Sequence, residues 1–544
     1  MAKRDGTNDT TQAPALNSAG VAPSAVTVVK AKRRSRRQRF WLAAMGSITL
    51  LSIVLIIFAY RRITQKIHVG PRTTFVRGPL LPDGTVNYIA AYDMLFNKGV
   101  TRQNNAAVPL IRVLGANAHI LGRNWLTVLK IIGLKRRPIP APEFLTLRAY
   151  LAIHPKQQKA YGIQYPLHAA FLANPMVFHV WNAKEFPIFA RYFAADAPAV
   201  TAIINAVARP KFYIPATGQS LLAGSGARWL GRCMTAGNVL LAQAMFDVGR
   251  GKFTAALHEL RAVQQFGALV SQRPGLLYWL VGNDLITRSA MAQCRLATDP
   301  RLHLPRTFFR WLLTHRRPHG LPSLSWEMNY PERFVLLDVI TGLYRAASGR
   351  SSSLVQAPLH SKGAEQLLSS LVDWNWVLRC ANRMHNAGTR AQSGLFSTPC
   401  RTDAAFAARE KQMYKNHVLS YVQPSVLFRN WICGTFLTDF NRPTFFQCSG
   451  RQECGFARIA AALAMAHADS GHFPQALAEL SPKYLQRVPR DAFTGKAVIY
   501  RRTKTGYLLT CDWHAADIHT DAYDISPLTI RYPSKPQKPL MPAR

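Results

Sequence analysis

Acidic side chains are scarce in this chain. Twenty-seven Asp and Glu stand against 68 Lys and Arg in 544 residues, a formal net charge of +41. Residues 1–39 hold nine Lys or Arg against Asp5 and Asp9, so +34 remains, spread over the rest of the chain without a dominant block. A diffuse excess of that size favours contact with anionic surfaces, whether lipid headgroups, acidic envelope polymers or nucleic acid. The densest local group, "LKRRPIP" at 134–140, has no interleaved aromatic residues of the kind a single-strand binder stacks bases on. It reads as a solvated loop, and nucleic acid is the disfavoured partner.

Linear catalytic signatures are missing as well. There is no Gly-x-Ser-x-Gly, no His-Glu-x-x-His and no phosphate loop. In "GSGARWLG" Trp229 occupies the place where a dinucleotide fingerprint needs its third glycine, and no strand precedes it. "HEL" at His258 has no downstream His on its face. No Cys-x-x-Cys occurs among the eight cysteines (Cys233, Cys294, Cys380, Cys400, Cys433, Cys448, Cys454 and Cys511), which removes the commonest zinc spacing. No catalytic residue is assigned. A site built by tertiary convergence, for example from His385, Asp403 and Glu410, stays open.

What is present begins with residues 40–60, "FWLAAMGSITLLSIVLIIFAY", which carry no charge. As a helix this run is about 31 Å long, the thickness of bilayer hydrocarbon. It is expected to be a transmembrane signal-anchor, with Trp41 and Tyr60 as interfacial aromatics and Arg61 and Arg62 in place of a cleavage site. "KAKRRSRRQR" at 30–39 holds seven Lys or Arg, against Arg61, Arg62 and Lys66 beyond the run, which puts the N-terminus in the cytoplasm. The expected location is therefore a bacterial inner membrane, single-pass, with the C-terminal part periplasmic. All eight cysteines then lie on the side where disulfides persist. One or two bridges are expected, with Cys448 and Cys454 the foremost participants.

The domain reading places a disordered basic tail at 1–39, the membrane helix at 40–60, a Gly- and Pro-rich linker at 61–86 and a helical ectodomain at 87–449. A small α+β module at 450–533 and a tail at 534–544 follow. Apolar residues three and four apart dominate 87–445, in segments such as "NYIAAYDMLF", "FARYFAADAPAVTAIINAVA" and "GAEQLLSSLVDWNWVLRCANRMHNA", and alternating runs are nearly absent. The fold class is mainly α: an irregular helical bundle plus the small α+β module. "LLAQAMFDVGRGKFTAALHELRAVQQFGALVSQRP" reads as an αα-hairpin, with Gly249 and Gly251 ending one helix, Phe253 covering the turn and Ala256 small at the contact. It resembles a tetratricopeptide-type repeat through Gly251, Phe253, Ala256 and Pro274.

Four strings, "NNAAVPLIRVLG", "EFPIFARYFAADAPAVTAIINAVARPKFYIP", "ERFVLLDVI" and "DWNWVLRCANR", together resemble a group of uncharacterised membrane-anchored helical proteins of planctomycete-type bacteria. The likeness implies architecture and location and supplies no activity.

The module 450–533 reads as a helix, a Phe-Pro stop, a short helix, proline-marked turns and a hairpin around "TKTG", with "CSGRQECG" as the joint before it. Phe473, Pro474, Leu480, Pro482, Tyr484, Leu485, Pro489, Asp491, Phe493, Gly495 and Tyr500 make it resemble the globular part of type II secretion major pseudopilins. Ala492 replaces that pattern's second proline, and no assembly helix adjoins the module, which argues against a filament subunit. The resemblance implies calcium in the acidic stretch "CDWHAADIHTDAYDI", with Asp512, Asp517, Asp521 and Asp524 as oxygen ligands; His514 and His519 suit a transition metal instead. The functional expectation is a non-catalytic interaction or scaffold protein of the cell envelope. The alternatives are a binder of anionic polymer or lipid, or an unrecognised hydrolase.

Overall fold

The computed structural model describes residues 36–63, 65–115, 117, 121, 124–134, 142–164, 175–218, 220–221, 227–314, 322–348, 372–394, 425, 441–512 and 529–533. The chain divides into two compact units, Met1–Arg61 and Arg62–Arg544.

In the first unit the described residues form one helix, α1 (Arg36–Ile63), which runs two residues past the unit's boundary. Its apolar side chains find no core: Phe40, Ile48, Ile56 and Tyr60 are each more than 60% exposed. Among the described residues no helix is long and apolar enough to cross a membrane. The side chains of Leu42, Phe58 and Ala59 lie outside the description, so the continuous described stretch of α1 is 43–57.

The second unit is mainly helical with one small antiparallel sheet, as its periodicity implies. Its principal helices are α2 (Tyr88–Phe96), α3 (Ala107–Leu114), α4 (Pro187–Val207), α5 (Ala227–Gly249), α6 (Phe253–Val270), α7 (Leu276–Thr298), α8 (Arg306–Thr314), α9 (Arg333–Ala347), α10 (Trp374–Gly394) and α11 (Asn441–Ser470). The expected hairpin is α5–α6. Gly251 turns the chain at φ +71°, where a side chain would be strained. A Cβ on Gly249 would stand 2.4 Å from the Trp181 carbonyl oxygen, so this glycine answers to a passing backbone as much as to the helix end. Ala256 is fully buried, and Phe253 meets Phe308 edge to face with ring centroids 6.4 Å apart. The structure gives no support to a tetratricopeptide assignment: the described residues show this one hairpin, with α7 packed along α6. The first turn of α7 is capped from a distance: Gly275 donates to Glu327 Oε2 at 3.0 Å and Leu276 to Glu332 Oε1 at 2.7 Å.

The main core joins α3 to α8 through Phe189, Tyr192, Trp229, Val263 and Phe266. A second core gathers α7, α11 and the sheet around Phe456, Leu463, Leu480, Phe493 and Tyr507. A third holds the segment after α1 against α9 and α10 through Ile67, Val86, Phe334, Leu337 and Trp374.

That third core changes the reading of 61–86 as an extended linker. From Gln65 onward the segment is packed. His68 N–H donates to Asn375 Oδ1 at 2.7 Å, Asn375 Nδ2 returns to the Lys66 carbonyl at 3.0 Å, and Asn382 Nδ2 donates to the Thr73 carbonyl at 2.6 Å. Its glycines and prolines make tight turns sewn to α10 by side-chain amides, which serve backbone groups as a strand neighbour would.

The C-terminal hairpin is where the alternation puts it. Strands β1 (Ile499–Arg502) and β2 (Tyr507–Thr510) pair with Tyr500 opposite Leu509, and β3 (Thr529–Tyr532) adds to the far edge of β2. The resemblance residues have plain structural work. Asp491 is buried and accepts from Phe493 N at 2.8 Å and, through its other oxygen, from Asp512 N at 2.8 Å; the Tyr500 hydroxyl donates to the Pro474 carbonyl at 2.8 Å. The supposed joint "CSGRQECG" is helical, inside α11, so the boundary at 449/450 falls mid-helix. Cys448 is disulfide-bonded, whereas Cys454, with Cys233, Cys294, Cys380 and Cys511, is a thiol.

Candidate functional site

The turn Leu80–Val86 is built from "LLPDGTV". Asp83 Oδ1 accepts from Thr85 N at 3.0 Å and Thr85 Oγ1 at 2.6 Å, Gly84 takes φ +80°, and Leu80 bridges Val86. Asn87 then caps α2, its Oδ1 accepting from Ala90 N at 3.0 Å. Facing this turn is one stripe of α9, where Asp338, Thr341, Gly342 and Arg345 fall three, four and seven residues along and so share a helix face. Between them lies a cavity of about 330 Å³, lined also by Leu81, Val86, Asn87, Tyr88, Ile89 and Gly218. Its volume is at the lower end for small-molecule sites.

Asp338 Oδ2 accepts two hydrogen bonds, from Ser220 Oγ and Leu221 N, both at 2.8 Å. Burial holds its carboxyl above its ordinary value, with these bonds and the Arg345 charge pulling the other way. Arg345 Nε donates to Asp83 Oδ2 at 2.6 Å, with both side chains largely covered. For Asp83 burial raises the carboxyl, but the Thr85 bonds and Arg345 outweigh it and hold the group below its ordinary value. Thr341 Oγ1, beside the Tyr88 hydroxyl, is buried without a hydrogen bond of regular geometry among the described residues. The arrangement offers one carboxylate, one guanidinium, hydroxyl and amide groups. These groups can bind and orient a small polar molecule.

A second polar cluster lies where residues 328–332 widen into a π-turn containing Pro331. Arg333 is 2% exposed; its Nη2 donates to Asn329 Oδ1 and Asn386 Oδ1, both at 2.7 Å, and its guanidinium lies 4.3 Å from the centre of the Phe75 ring. Phe75 itself sits at φ +64°, a strained value for a bulky residue. Burial lowers Arg333 to about 10, and burial with the Arg333 charge lowers His385 to about 3, so His385 is neutral. A neutral imidazole here packs beside a buried cation.

One outward surface is basic. Leu508 pairs with Arg501 on one side and Arg531 on the other, so the two arginines flank it on the sheet face opposite Leu509, with half-exposed Ile499 beside them.

Of the residues expected from sequence to hold metal, Asp512 lies two residues past β2 and is half-buried, its N–H committed to Asp491. Asp517, Asp521, Asp524, His514 and His519 lie outside the described residues, as do Asp403 and Glu410, named as possible companions of His385. Among the described residues no three His, Cys, Asp or Glu converge as a metal-holding group. The cavity residues Asp338 and Arg345, and Asp83 paired with Arg345, were not singled out from sequence. The available signal was a lone Asp followed by Thr and Arg at helical spacing in the otherwise apolar "FVLLDVITGLYR".

No protein family, curated protein or solved structure matches this chain.

Proposed function

We propose that the protein is a membrane-tethered, extracytoplasmic component of a bacterial cell envelope that works by binding rather than by catalysis. The observation that carries this reading is the uncharged run 40–60 preceded by seven Lys or Arg in 30–39. An apolar helix exposed on every side needs a nonaqueous surrounding, and lipid supplies one. The Cys448 disulfide fits an oxidising compartment. The partner is another envelope component, a protein for which the helical body is a scaffold. The arginine-flanked sheet face favours a second reading, contact with anionic polymer or lipid headgroups.

Protease added outside an intact inner membrane is expected to digest nearly everything after residue 61 and leave a short N-terminal fragment. Full protection of the C-terminal body would overturn the topology. Binding of the full chain in detergent to an acidic polymer separates the two partner readings: retention that collapses with salt supports the polymer, and salt-insensitive capture of a protein supports the scaffold.

A further inference from the structure

The cavity between the Leu80–Val86 turn and α9 is lined by one carboxylate, Asp338, and one guanidinium, Arg345, in a chain of net charge +41. Arg345 is already neutralised by Asp83, and Asp338 lies seven residues away on the same helix with no cation at hydrogen-bond distance among the described residues. Both bonds to Asp338, a lining residue, are received by Oδ2, and Oδ1 receives none among the described residues. Asn87 uses its Oδ1 in capping α2 and its amide donor makes no bond among the described residues, where Thr341, 3% exposed, also brings a hydroxyl without a regular hydrogen bond.

We propose that this cavity binds a small protonated amine that also carries hydroxyl groups, the chemistry of a free amino sugar. The ammonium sits against Asp338 Oδ1, and the hydroxyls engage Thr341, the Asn87 amide and the Arg345 guanidinium. One positive charge balances Asp338, whereas an anion would add a second uncompensated negative charge in a place where charges are poorly solvated. A neutral polyol would satisfy the hydroxyl partners and leave the carboxylate without a counter-charge. This inference does not depend on the membrane reading.

The test uses the full chain in detergent, with ligand-observed NMR titration at mildly acidic pH. Glucosamine is the probe; glucose, N-acetylglucosamine and 4-aminobutyrate are the comparison arms. Saturable binding of glucosamine is expected, at least about tenfold tighter than any of the other three, with Asp338→Asn lowering its affinity about tenfold or more. Thr341→Val keeps the shape of the side chain and is expected to weaken binding severalfold, and it stands in should Asp338→Asn fail to fold. Absence of glucosamine binding overturns the proposal. So does equal binding of glucose, which would mark a neutral polyol site, or of 4-aminobutyrate, which would mark a zwitterion site. Unchanged affinity in both variants would place the ligand elsewhere.

Discussion

Glu259 shows what single residues contribute to this fold. It lies on α6, 6% exposed, with its Oε2 making no hydrogen bond among the described residues. Burial, then the negative charge of Asp247, pushes its carboxyl up to about 9. The folded protein therefore holds this proton more tightly than the unfolded chain, whose glutamate titrates near the ordinary value. The stabilisation from Glu259 is complete below about pH 4.5 and is lost as pH rises through about 9. Asp196 and Glu453, both raised to about 7 by burial, act in the same direction, with their contribution lost as pH rises from the ordinary carboxylate range through about 7. His385 opposes them: its contribution is present above about 6.5 and is lost as pH falls toward about 3. Glu259→Gln removes the titration while keeping the shape. Its melting temperature is expected to fall less between mildly acidic and mildly alkaline pH than that of the parent, a difference on the order of 2 kcal/mol in stability. Parallel pH profiles for the two proteins would show that Glu259 is ionised at little cost.

Between elements, glycine decides how closely helices approach. A Cβ on Gly282 of α7 would lie 2.0 Å from Ser271 Oγ and 2.2 Å from the Gly267 carbonyl oxygen, and one on Gly267 of α6 would lie 2.5 Å from the Gly282 carbonyl oxygen. The two backbones touch at this crossing. Gly282→Ala is expected to lower stability by about 2 kcal/mol or more, because backbone cannot yield as a side-chain end can. Gly231→Ala, on α5 with nothing within 4 Å of the added carbon, is expected to be neutral or stabilising by up to about 1 kcal/mol. Denaturant midpoints of the two variants check this, and equal midpoints would mean the crossing adjusts. The same glycines explain which parts of the architecture were readable. The hairpin β1–β2 was legible because its alternation and its "TKTG" turn are local in sequence. The glycines of 448–455 read as a joint, yet Gly450 is small because Thr287 and Asn283 of α7 stand 2.6 and 3.1 Å from where its Cβ would be. A helix crossing and a chain break use the same residue. The cavity was illegible for a related reason: Asp83 and Arg345 are 262 residues apart, and Ser220 and Asp338 are 118 apart. Their pairing is a product of packing that no local spacing announces.

For the molecule as a whole, the question is whether its C-terminal part has a core of its own. α11 spans Asn441–Ser470, and its successive faces enter two cores: Ala460, Ala461 and Met465 join the main one, while Phe456, Ile459 and Leu463 join the second. The second core is completed by Ala290 and Cys294 of α7, whose thiol lies 3.8 Å from the Glu453 carbonyl oxygen. Helix α11 is therefore the inner wall of the sheet module and an outer wall of the bundle at once. A fragment cut to residues 450–533 keeps the hairpin, Phe493 and Tyr507, but it loses α7 and the first helical turns of α11 with Cys448. Ala460, Ala461 and Met465 are left facing water where the main core was, the second core is opened where Ala290, Cys294 and Cys448 stood, and each large buried apolar side chain is worth roughly 1.5–3 kcal/mol. A unit of this size has little stability in reserve. The fragment is expected to show no cooperative thermal transition and poor amide dispersion under oxidising conditions, with or without calcium, whereas the full chain in detergent melts cooperatively. A sharp, reversible transition in the fragment would restore an independent module and assign the α7 contact to docking between two finished domains. Failure of the fragment places the sheet inside the same folding unit as the bundle, so that a change at the α7–α11 contact is felt at the arginine-flanked face and in the helical body together.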